Sequence, residues 1–200
     1  MMKTLLALAP ALAPGLAAAA EGGLPARYRT LAPAELRAAP DAGAEETAAL
    51  EEGRILEILA FSDDGAWALT GRGEGAAWLP LAGLERLGGA AAEGLPMRCY
   101  GTEPFWGLNL PSAFFGEFER PEHPETPLQL TGSDETLAAS GRARLWTFVG
   151  DELRGHLVVR NEVCSDGMSD RPFGLSATLS LAETAGAVHL LLGCCSLTGN

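Results

Sequence analysis

Four cysteines, at positions 99, 164, 194 and 195, sit in short strings crowded with other reactive or rigid residues: CYGTEPFW at 99–106, CSDGMSDR at 164–171 and GCC at 193–195. In an oxidising compartment an even cysteine count reads as two disulfides. Neighbouring strand residues point to opposite faces, so Cys194 and Cys195 can reach different partners, whereas a bridge between them would strain the peptide that joins them. Two pairings stay open, with one of the adjacent cysteines bonded to Cys99 and the other to Cys164. Closing loops of roughly 30 to 100 residues contributes about 3 to 5 kcal/mol per bridge in the chain-entropy account. The competing chemistry is a metal or small-ligand loop built from Cys164, Asp166, Met168 and Asp170. Soft sulfur selects copper(I) while carboxylates suit harder ions, so that mixture matches neither well. Asx turns at Asp166 and Asp170, with Gly167 at positive φ, account for the same string structurally.

In Glu103-Pro104-Phe105-Trp106 the proline ring fixes its own φ and pushes Glu103 to an extended conformation. Glu103, Phe105 and Trp106 are therefore held in set directions and are ligand candidates, as a carboxylate beside an aromatic wall at a pocket mouth. The plainer reading is a barrel plug with Trp106 inside. Trp67 and Trp78 are the other ligand candidates, able to stack on a bound group or to serve as packing bulk in a small domain. No catalytic residue is assigned. Neither Cys99 nor Cys164 precedes a helical pattern that would activate a thiolate. His123 lies between Pro121 and Pro124, and His156 and His189 sit in strand-like runs. Zinc spacing, a phosphate-cradling glycine loop and a Gly-x-Ser-x-Gly elbow are all missing.

The elements that must position these residues are strands. The chain has 200 residues, 47% apolar and 20% charged, with 25 Gly and 13 Pro. That is enough apolar material for a core, and the turn formers favour many short strands. Net charge is -12, with 14 basic against 26 acidic residues, which excludes a binder that works by neutralising nucleic-acid phosphates. Lys3, the apolar run Leu5 to Leu16 and the small residues Ala18 to Ala20 read as a signal peptide occupying residues 1–20. The apolar run is too short to span a membrane, which needs about 20 residues. The expectation is a periplasmic or secreted protein, not membrane-spanning after cleavage, with no cofactor.

A small-residue break at 88–94 reads as a linker between a first domain at 26–87 and a second at 95–200. In the first, LRAAP at 36–40, ALEEGRILEIL at 49–59, DDGAWALT at 63–70 and EGAAWL at 74–79 resemble the opening, central strand and double-tryptophan ending of bacterial SH3-like domains. That resemblance implies a small barrel and, by way of Trp67 and Trp78, binding of cell-wall peptides. In the second, Gly150-Asp151-Glu152 separates two runs of strand periodicity as a hairpin would. Its three cysteine strings together resemble an uncharacterised family of small exported bacterial proteins with a C-x-G-x-E-P-F-W…C-x-D-G-M-S…G-C-C pattern, which implies a β-rich fold and an exported location. The fold class expected is all-β: a small SH3-like barrel followed by a disulfide-braced antiparallel β-barrel or sandwich of about eight strands. The function expected is that of a non-catalytic binding or accessory protein of the cell envelope, its partner peptidoglycan or an envelope protein and not nucleic acid. A periplasmic metal or small-molecule carrier using the Cys164–Asp170 loop and an envelope hydrolase are the alternatives.

Overall fold

The computed structural model describes residues 23–87, 95–121, 125–138 and 141–197. The expected leader and linker and His123 lie outside them. Among the described residues every regular element is a strand apart from one 3-10 turn at Leu81–Gly83. The first half holds β1 (Ala26–Thr30), β2 (Ala34–Arg37), β3 (Glu46–Leu50), β4 (Ile55–Phe61), β5 (Trp67–Arg72), β6 (Gly75–Pro80) and β7 (Leu84–Leu87). The second holds β8 (Met97–Thr102), β9 (Phe105–Leu110), β10 (Phe115–Glu119), β11 (Thr126–Ala138), β12 (Gly141–Val149), β13 (Leu153–Cys164), β14 (Phe173–Glu183) and β15 (Val188–Leu197).

The first seven strands form one antiparallel sheet in the order β3-β2-β6-β5-β4-β1-β7. Its ladder is open, so this half is a sheet with β3 and β7 as edges, where the sequence suggested a small barrel. Even so, Ala48 and Leu50 of β3 and Leu84 of β7 pack on the same cluster as Tyr28, Leu36, Ile58 and Leu79, so both edges bend round one core. Turn chemistry sets the corners. Asp64 accepts from Ser62 and from the Ala66 amide, and Gly65 takes φ 68°, which makes the tight return from β4 to β5.

Strands β8 to β15 each pair with the next in sequence, and β15 closes onto β8, giving an eight-stranded up-and-down barrel. Closure pairs the backbone groups that an open sheet would leave exposed at its edges. Alternation fills the inside: Met97 and Cys99, Trp106 and Leu108, Trp146 and Phe148, Leu157 and Val159, Leu175 to Leu181 at every second residue, and Cys195 and Leu197 form one buried cluster. Gly150-Asp151-Glu152 is the turn between β12 and β13, as its position between two periodic runs predicts.

Both disulfides brace this barrel. Cys195 points inward and lies directly opposite Cys99 in the β15–β8 ladder, so these two bond in the core. Cys194 points outward and bonds Cys164 at the end of β13. Opposite facing of adjacent residues thus decides between the two pairings left open by the sequence.

The two halves touch. The Asn161 side chain donates to the Leu24 carbonyl at 3.1 Å, and Arg27 of β1 donates to the carbonyls of Leu95 and Pro96 just before β8. Pro25 packs so closely on Gly174 that a β-carbon there would overlap the proline ring.

Candidate functional site

β5 and β6 pair with Trp67 opposite Pro80 and Leu69 opposite Trp78, so all four side chains share one face of the sheet. The alternate residues Ala68, Thr70, Ala77 and Leu79 are buried on the other face, in the core. Both tryptophans are therefore half-buried on the outward side. β2 joins β6 through the single pair Arg37–Trp78. A groove of about 350 Å³ occupies the space beside that thin join, walled by Trp67, Pro80, Pro33, Glu35 and Arg37. Trp78 shares the face and is not among the walls. Arg37 is pinned by the Glu35 carboxylate and by the Ala44 carbonyl at 2.8 Å, so one paired charge sits at the edge of a flat aromatic surface. Such a site suits an extended chain that presents an apolar group to the indole and polar backbone to the pair.

On the barrel, the three cysteine strings converge. Glu103, Cys164 and Asp166, together with Thr102 and Gly193, line a second groove of about 490 Å³ on the outer face. Thr102 donates to the Asp166 carbonyl at 2.9 Å and ties the loop after β13 to the β8–β9 hairpin. The Asp166 carboxylate accepts from the amides of Met168 and Ser169 at 3.0 and 2.9 Å, with Gly167 at φ 73°. Those amide bonds hold its pKa below the ordinary carboxylate value. The carboxylate is thus spent on its own turn, the Cys164 sulfur is bonded to Cys194, and Met168 is exposed. Among the described residues no three His, Cys, Asp or Glu side chains converge as metal ligands. Among the described residues Asp170 makes no ion pair, and Arg171 lies over the Phe173 ring at 5.2 Å.

Phe105 and Trp106, adjacent on β9, point opposite ways. Phe105 is 54% exposed and Trp106 only 4%. The β15–β8 ladder stops at Cys194 opposite Tyr100, and the indole N–H of Trp106 donates to the Leu192 carbonyl beyond it, at 3.1 Å. Gly101 and Gly193 make the seat: a β-carbon on either would overlap the indole and a strand carbonyl. Glu103 is exposed in the hairpin turn. Phe105 and Trp106 both line a groove of about 490 Å³ with Glu119 and Arg120, while Glu103 lines the separate groove beside Cys164.

No protein-family model, curated protein or solved structure matches the chain. The groove beside Trp67 is where a half-buried aromatic, two prolines and a fixed charge pair meet. A further cavity, about 620 Å³, opens at one end of the barrel over Phe118 and Leu153. Its rim cation, Arg120, is already held by Glu183 at 2.9 Å, and Glu183 also meets His189 at 3.2 Å.

Pro33 and Glu35 escaped the sequence reading because single prolines and charges carry no periodic signal, and Arg37 entered it as part of LRAAP without being singled out as a wall of the groove. The residues that join the halves, Arg27, Glu57 and Arg171, escaped it for the same reason.

Proposed function

We propose that this protein is a non-catalytic binding protein of the bacterial cell envelope, exported by its leader, that holds cell-wall peptides in the groove beside Trp67. The observation that carries the reading is the outward placement of Trp67 over a groove, when the next residue on the same strand, Ala68, is wholly buried. A flat, rigid aromatic contributes contact area at low entropic cost, which is why such side chains dominate binding hot spots. The likeness of the LRAAP and double-tryptophan strings to bacterial SH3-like domains supports the same ligand. The two disulfides and the absence, among the described residues, of a helix long and apolar enough to cross a membrane are compatible with an extracellular or periplasmic location.

The test is retention on purified peptidoglycan at low and moderate salt. Wild type is expected to be retained at both, and Trp67→Ala to lose about tenfold or more in affinity, the range of a hot-spot aromatic. Its place on the outer face predicts that the variant keeps its fold, which circular dichroism checks. Absence of retention of the wild type at either salt removes the wall-binding reading.

A further inference from the structure

Glu57 is an acid of the first sheet that meets the end of β15 on the barrel. On β4 it lies directly opposite Arg27 of β1, and both face away from the core residues Ala26, Tyr28 and Ile58. Its carboxylate accepts from the Leu197 amide at 3.0 Å and from the Ser196 hydroxyl at 3.0 Å, at the end of β15. The partners come from a different half of the molecule, 139 and 140 residues away in sequence. We propose that Glu57 is a proton-sensitive latch, and that taking up one proton tightens the docking of the first sheet on the barrel.

The geometry suits both charge states. As a carboxylate, Glu57 accepts both bonds. As the neutral acid, one oxygen still accepts from the Leu197 amide, while its hydroxyl donates to Ser196 Oγ, which can accept as readily as donate. The charged form carries by far the larger desolvation cost of packing against the barrel. The groups facing it are Arg27 from β1, Arg171 from the loop between β13 and β14, and Tyr100 from β8. Arg98 stands opposite Ser196 in the ladder and is held by Glu119 at 2.5 Å. From β15, among the described residues, the carboxylate meets Ser196 and Leu197, neither of which titrates.

Desolvation outweighs these favourable partners, so the carboxyl is pushed above its ordinary value of 4.5 when the halves are docked. A raised value in the docked state means that docking binds protons. The added stability is complete below the ordinary value and is lost as pH rises through the raised one. One proton changes the docking constant by at most about tenfold per pH unit within that window.

The experiment follows the amide of Leu197 by hydrogen exchange in the full chain, corrected for the intrinsic pH dependence of exchange, between about pH 8 and about pH 5. Wild type is expected to gain protection as pH falls, with core amides inside each half, such as those of Leu157 and Ile58, as the reference that does not follow. Glu57→Gln reproduces the neutral acid, accepting from Leu197 and donating to Ser196. It is expected to stay protected across the range with no pH dependence, which separates Glu57 from any histidine. Protection in wild type that does not change with pH overturns the latch. So does an equal pH dependence in wild type and Glu57→Gln. Peptidoglycan retention is not read in this experiment, so the latch and the proposed function stand or fall separately.

Discussion

At the scale of single residues, the most constrained place in the barrel is the seat of Trp106. The indole fills the space over Gly101 and Gly193, and its N–H satisfies the Leu192 carbonyl left free where the β15–β8 ladder ends. Two changes attack this seat from opposite sides. Trp106→Ala empties a large site and leaves a carbonyl unpaired, with an expected loss of about 3 to 5 kcal/mol. Gly193→Ala overfills it, because the new methyl would run into the Tyr100 carbonyl as well as the indole, and a loss of at least about 1 to 3 kcal/mol is expected. Denaturant unfolding of both variants measures the losses, and a Gly193→Ala protein as stable as wild type would show that the seat is looser than the packing implies. The CYGTEPFW and GCC strings are thus legible in retrospect as one packing unit. From the sequence, Pro104 showed that the side chains after it have fixed directions, but not that two glycines on different strands had been cleared for one ring.

Among elements, the loop after β13 and the two bridges decide how the outer face is held. Alternation along β15 places Cys195 in the core and Cys194 outside, so the two disulfides live in different surroundings. Cys99, Cys194 and Cys195 are fully buried, whereas Cys164 is half-exposed in the groove and leaves its bridge open to attack from that side. Thiol-disulfide exchange requires access of the attacking thiolate to a sulfur. Under a mild reductant without denaturant, Cys164–Cys194 is therefore expected to open first and Cys99–Cys195 to persist, and mass spectrometry after alkylation reads which cysteines are trapped. Simultaneous reduction of the two bridges would contradict that order. The strands themselves were readable from period-2 alternation and turn residues. The openness of the first sheet was not, since pattern fixes which face of a strand is buried and says little about whether the last strand meets the first.

For the whole molecule, what matters is that two separately cored halves share an interface built from a few polar contacts and the packing of Pro25 on Gly174. Arg27 grips the Leu95 and Pro96 carbonyls, Asn161 holds that of Leu24, and Glu57 meets the end of β15. Arg171 reaches the same interface and lies close enough to Gly71 of β5 that a β-carbon there would press on its guanidinium. Because Trp67 opens the same strand, docking and the groove share one element. Removing Arg27 takes two carbonyl contacts from the interface and leaves both cores intact. Arg27→Ala is thus expected to split thermal unfolding into two steps where wild type shows one, and calorimetry distinguishes them. A single unshifted transition in the variant would mean that the interface contributes little to cooperativity. The amino-acid sequence by itself determined the all-β class, the approximate strand positions, the acidic charge and the involvement of the cysteines in bridges, because alternation, turn chemistry and composition are local properties. Tertiary structure alone decided barrel closure, the choice between two pairings, the outward turn of Trp67 and the meeting of Glu57 with Leu197, because each depends on residues far apart in the chain coming together, and no local pattern encodes distance.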